Sequence, residues 1–189
     1  MNKKYELLDI DPKTGFRRIR ALRDIPLHNV KAGDLGGFIE SEENLSHEGD
    51  AWVGGSATVF GDAWVCEGAK VSGNAMVSGN AQVSGNARVS GNAQVFGNAR
   101  VCEDAKLFGN ALVIGDARVS GKAKVSEYAE VCGNAQVSGN ALVYGNAKVS
   151  ENAKVSGKAL VCGNALVYGN ALVSENAKVF VDAKVSGDV

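Results

Sequence analysis

Histidine and proline are nearly absent from this chain, with two of each in 189 residues. His28 and His47 alone do not make up the three-histidine ligand set, open to water, of one familiar zinc catalyst, so no metal centre is expected. Proline is scarce beside 24 glycines, which points to glycine used at fixed intervals rather than as linker. The first twenty-five residues contain no apolar run resembling a signal peptide, and no stretch approaches the roughly 18 apolar residues of a membrane span. A cytoplasmic protein is the expectation. The net charge of −1 supplies no general attraction to nucleic acid or to an anionic membrane, and neither partner is expected. Neither a GxxxxGK[ST] nor a GxGxxG phosphate loop occurs.

What the chain has in abundance is one unit. From Val53 to Val185 every sixth residue is aliphatic, valine throughout except Leu107, and alanine follows four residues later from Ala57 to Ala183. A fixed period means that each unit buries its apolar side against its neighbours. On an α-helix a step of six residues turns about 240° around the axis, scattering the valines. Units such as Val83-Ser84-Gly85-Asn86-Ala87 instead place a β-branched residue in a short strand, with residues that tolerate positive φ two and three positions later. If valine and alanine both point inward, each hexad forms one flat side and one corner. Three sides close a triangular coil, and coils stack about 4.8 Å apart.

The V-S-G-N-A-Q pattern resembles the hexapeptide-repeat superfamily of left-handed β-helices. The resemblance covers roughly residues 47–189 and implies 18 residues per coil, about eight coils and a left-handed turn. Counting back six from Val53 puts His47 at an inward position and the start of the array, giving an N-terminal capping segment at 1–46 and the β-helix at 47–189.

In the cap, residues 4–25 read as two strands joined by the turn Asp11-Pro12-Lys13-Thr14-Gly15, a hairpin that covers the otherwise unpaired first coil. The segment after it, 31–46, reads as further cover. This segment and its continuation His47-Glu48-Gly49-Asp50-Ala51-Trp52-Val53 are similar to the N-terminal region of poorly characterised bacterial and phage-type proteins described as acyltransferase-like. Basic residues dominate 1–31 and acidic ones 34–50, and Glu6, Asp9 and the acidic stretch are expected to offset Arg17, Arg18, Arg20 and Arg23.

The superfamily resemblance implies, as one reading, a CoA-dependent acyltransferase, in which a histidine acts as general base and acyl-CoA is the cofactor. Under that reading His47 is the catalytic candidate. Against it, no loop interrupts the repeats and no histidine lies in the regular coils, so His28 reads as a solvated turn residue and His47 as a first-coil packing residue. Resemblance to helical antifreeze proteins would require threonine ladders, and only Thr14 and Thr58 occur. Cys66, Cys102, Cys132 and Cys162 each follow an inward valine and should face outward. The nearest stacked pair lies about 9.6 Å apart, beyond disulfide reach, which suits a reducing compartment.

Sorting outward residues by side leaves two features. Lys70, Arg88, Lys106 and Lys124 form a basic row, with Glu67, Glu103 and Glu127 at the neighbouring corners. Apolar residues gather at Leu142, Tyr144, Leu160 and Cys162 on one side, and at Phe96, Leu112 and Ile114, with Leu166 and Tyr168, on the next. Contiguous flat apolar patches mark association surfaces. The expected function is therefore a non-catalytic scaffold or protein-interaction module. It would be a homo-oligomer, or bind another protein, through its flat faces or its C-terminal end.

Overall fold

The structure, a computed structural model, describes residues 3–187. After the cap, strands of two to four residues begin at Trp52–Val53, Thr58–Val59 and Trp64–Val65, and each pairs in parallel with the strand 18 residues later. Three ladders result. The first side, from Trp52 to Val179, has eight strands; the third, from Trp64 to Val173, has seven; the second belongs to a sheet of eleven that includes the cap. The protein is thus an all-β, three-sided parallel β-solenoid of about eight coils, and the sorting of outward residues by side agrees with the ladders. Among the described residues, helix is confined to two 3-10 turns, Pro26–His28 and Glu42–Asn44. Among the described residues no helix is long and apolar enough to cross a membrane.

The inward series is the core. Val53 to Val167, with Leu107, are fully buried, and Ala51 to Ala171 lie beside them in the corners. Each coil donates backbone N–H groups to the carbonyls of the next, as in Arg88 N to Ala105 O at 2.9 Å. At the corners the chain turns through positive φ directly over the turn of the neighbouring coil. Gly91 has φ +71°, and a Cβ there would lie 2.8 Å from the Gly109 carbonyl oxygen, so a residue without a Cβ is favoured there on two counts. Five corners carry glutamate instead, at φ 56° to 60°. In four of them the carboxylate accepts a hydrogen bond from the amide of the glycine one coil on, for example Glu103 Oε2 from Gly121 N at 2.7 Å. That charge-assisted bond offsets the cost of the left-handed backbone. Asparagines after the glycines stack into their own ladders, with Asn74 donating to Asn92 at 3.1 Å and Asn92 to Asn110 at 3.0 Å.

The cap is a sheet extension. Strands β1 (Tyr5–Ile10) and β2 (Arg17–Ala21) form the expected antiparallel hairpin, closed by Gly15 N donating to Asp11 O at 2.8 Å. A third strand, β3 (Leu35–Ile39), lies within the segment read only as cover; it pairs antiparallel with β2 and parallel with Thr58–Val59. Its glycine pair lets it hug the first coil: a Cβ on Gly37 would sit 2.5 Å from the Ala57 carbonyl oxygen.

Coil-like pairing therefore starts before residue 47. Ile39 aligns with Val59 and Leu45 with Val65, so Leu45, fully buried, holds the inward slot that a count of six assigns to His47. Ser46 N still bonds to Val65 O at 2.9 Å and Asp50 N to Glu67 O at 2.7 Å. His47 and Glu48 are thus the two extra residues of a bulged corner, which uniform spacing cannot reveal.

The corner geometry sets an expected outcome. Gly15 has φ +75°, and a Cβ added to it would meet nothing within 4 Å, so Gly15→Ala should cost only the left-handed penalty of about 1–2 kcal/mol. Gly91→Ala adds a backbone clash and should lower the thermal midpoint several degrees further, as measured by circular dichroism. Equal midpoints would contradict coil-on-coil contact as the reason for glycine.

Candidate interaction surfaces

The apolar residues that the sequence singles out on the flat sides fall into three separate groups, while Trp64, Phe108, Leu172 and Phe180 are exposed outside them. On the first side Leu142 and Leu160 are direct partners on adjacent strands, Leu142 being 37% exposed and Leu160 half-buried. Tyr144 and Cys162 stand beside them, just past the same two strands, and are also half-buried. A hydrogen bond to Cys162 pushes the Tyr144 phenol above its ordinary pKa. The four make one continuous strip two coils long.

On the second side Phe96 pairs with Ile114, and Gln94 with Leu112. Met76, exposed on the preceding strand beside Gln94, extends this group. Leu166 and Tyr168 do not join it. Glu130 and Lys148 intervene, paired at 3.0 Å, and Leu166 itself lies between Lys148 and Lys184. Tyr128, 67% exposed, escapes a sorting by sides because it occupies a corner; its signal is the tyrosine in Ser126-Glu127-Tyr128, where most other units have asparagine or aspartate.

Neither histidine stands where the sequence suggests. His28 is buried at 8% exposure, not solvated, because the turn Pro26–His28 folds down onto the first side, where Lys70 Nζ donates to the His28 carbonyl at 3.3 Å. Burial, reinforced by the Lys70 and Arg88 charges, lowers its pKa. His47 stacks on Tyr5 at 4.2 Å between ring centroids. Its Nδ1 accepts from Lys4 N at 3.3 Å, and Nε2 lies 3.8 Å from Glu42 Oε2. Burial lowers its pKa, with the Glu42 carboxylate pulling the other way.

All four cysteines are free, but none is fully exposed. Cys66 is 3% exposed, because the cap reaches over it and brings the Lys4 charge near. Cys102, Cys132 and Cys162 are half-buried between neighbouring strands. Burial raises the thiol pKa of Cys66 and Cys102, and that of Cys132 to about 11, which disfavours the reactive thiolate. Among the described residues no group of three His, Cys, Asp or Glu side chains is arranged to hold a metal. In the cap, Arg20 pairs with Glu6 and Arg23 lies 3.8 Å from Asp50, while Arg18 donates to the Gly36 carbonyl at 3.1 Å.

Residues 69–84, 81–95, 135–151 and 159–175 match the family model described as YdcK beta solenoid repeat, and all four segments lie in the coil stack. No curated protein matches the chain.

The junction beneath the cap carries a titration. Lys4 is fully buried, with Nζ 3.5 Å from the Glu48 carbonyl. Burial, with the Arg23 charge, lowers its pKa to about 8. Between that value and the ordinary lysine value near 10.5 the unfolded chain binds the extra proton, so stability from this group rises with pH. Lys4→Met should therefore melt above wild type at pH 7, and the gap should close as pH is raised to about 10. A gap independent of pH would show that Lys4 is not buried as a cation.

Proposed function

We propose that the chain is a non-catalytic scaffold or protein-interaction module that associates with copies of itself through its flat sides or its C-terminal end. The observation that carries this reading is the Leu142–Leu160 pair with Tyr144 and Cys162. These side chains form one apolar strip on a flat, hydrogen-bonded sheet, where no rotation of the backbone can hide them. Two such strips brought face to face would remove both from water, each leucine, already about two-thirds covered, contributing roughly 0.5–1 kcal/mol. Two-fold pairing is the simplest way for one patch to complement itself. A cytoplasmic setting belongs to the same proposal, since four unpaired thiols suit a reducing compartment.

A second reading joins the chain to the hexapeptide-repeat superfamily as an acyltransferase using acyl-CoA, with His47 as base. It draws on the approach of the Glu42 carboxylate to His47 Nε2 at 3.8 Å, which would orient the ring. It ranks second because Nδ1 already accepts from Lys4 N, leaving neither ring nitrogen turned to a substrate, and because the ring lies in a bulge packed under the cap.

Light scattering tests the interface, and an acyl-CoA assay tests the enzyme. Wild type should have a mass above that of one chain and dependent on concentration, and Leu142→Lys and Leu160→Lys should each shift it toward the monomer. A mass unaltered by both substitutions removes the strip as an interface. Acyl-CoA turnover that disappears in His47→Ala, with folding retained, would favour the enzyme.

A further inference from the structure

The first side changes character along its length. Before the apolar strip, Arg88, Lys106 and Lys124 are direct partners on three successive parallel strands. In-register pairing thus stacks three cations at the strand spacing of about 4.8 Å, an arrangement that costs stability through like-charge repulsion. A fourth cation, Lys122, projects from the adjoining corner. Between the corner residues and the strand residues runs a groove of about 620 Å³, lined by these four cations and by Asp104, with Leu27 of the cap and Leu142 among its other walls.

Carboxylates stand near this row, but none pairs directly with it: among the described residues no ion pair involves Arg88, Lys106, Lys122 or Lys124. The corner glutamates that the sequence sets beside the row are turned along the stack: Glu67 accepts from Gly85 N at 2.5 Å, Glu103 from Gly121 N at 2.7 Å and Glu127 from Gly145 N at 3.1 Å. Asp104 accepts from Asn86 Nδ2 at 3.3 Å. Lys70, the next residue in the row, is turned instead to the His28 carbonyl, so the free cations begin at Arg88.

We propose that this groove binds a short, linear, polyvalent phosphate anion lying along the solenoid axis. Three stacked cations span two strand spacings, about 9.6 Å, and present their charge in a line rather than around a point. Phosphate groups carry several acceptor oxygens each and take charge-assisted bonds from both guanidinium and ammonium donors. The apolar walls at Leu27 and Leu142 bound the charged stretch, which suits a short chain over a long polymer. Binding would relieve the repulsion that folding builds into the ladder.

Titration calorimetry of the full chain with sodium tripolyphosphate tests this. Saturable binding with one anion per chain is expected, weakening as salt rises and weaker for orthophosphate. Lys106→Gln combined with Lys124→Gln removes two charge-assisted contacts and should reduce affinity at least about tenfold, while melting no lower than wild type. Lys122→Gln should give a partial loss, and supplies the reading if the double variant does not fold. Lys154→Gln with Lys184→Gln, on the other two sides, should leave affinity within about twofold. The proposal is overturned by the absence of saturable binding at millimolar concentration, by equal loss in the control variant, by orthophosphate binding as tightly, or by a single-stranded oligonucleotide binding more tightly than tripolyphosphate.

Discussion

Everything in this protein follows from the distance at which one coil rests on the next. Backbone hydrogen bonds between residues about 18 apart hold successive coils together on all three sides, and the same spacing applies to corners, core and surface alike. At most corners it crowds any Cβ against the next turn, so glycine recurs, and where glutamate stands instead a hydrogen bond to the next coil helps to hold the turn. In the interior it stacks valine on valine and alanine on alanine. On the surface it forces like residues into contact, which stabilises asparagine, offers apolar area where leucine follows leucine, and concentrates charge where lysine follows arginine.

Much of this was legible in the sequence because periodicity carries geometry. A strict step of six identifies inward residues, and three steps identify neighbours, so the members of each ladder could be assigned from residue numbers alone. The parts that escaped depend on departures from that step. Leu45 replaces His47 in the first coil because His47 and Glu48 are inserted, and an insertion of two leaves no mark in a pattern read backward from Val53. Strand β3 was hidden because Gly36-Gly37 reads as turn chemistry, whereas here glycine serves close approach to the first coil. The burial of His28 and Cys66 depends on the cap's placement. Leu166 and Tyr168 share a side with Leu112 and Ile114, but the Glu130–Lys148 pair divides them, and a sorting by side does not weigh what stands between.

The filled interior turns attention outward. No side chain of the central coils is free to line a cavity within the coil, so whatever this protein recognises must meet a flat face, a shallow groove between columns of side chains, or an end. Such surfaces are rigid, since their shape is set by the ladder and not by loops. Rigid surfaces lose little entropy on binding, which favours recognition by matched spacing over recognition by closure.

The bulge at His47 and Glu48 has a consequence beyond packing. The inward residues of successive coils are nearly interchangeable: a segment displaced by one full coil during folding would find almost the same valine and alanine partners in the core. The bulged corner has no counterpart among the regular coils from Val53 onward. With Tyr5 stacked on His47 and its hydroxyl donating to the Leu45 carbonyl at 2.7 Å, the cap recognises only that irregular turn. It breaks the translational degeneracy of the array and gives the winding a unique origin.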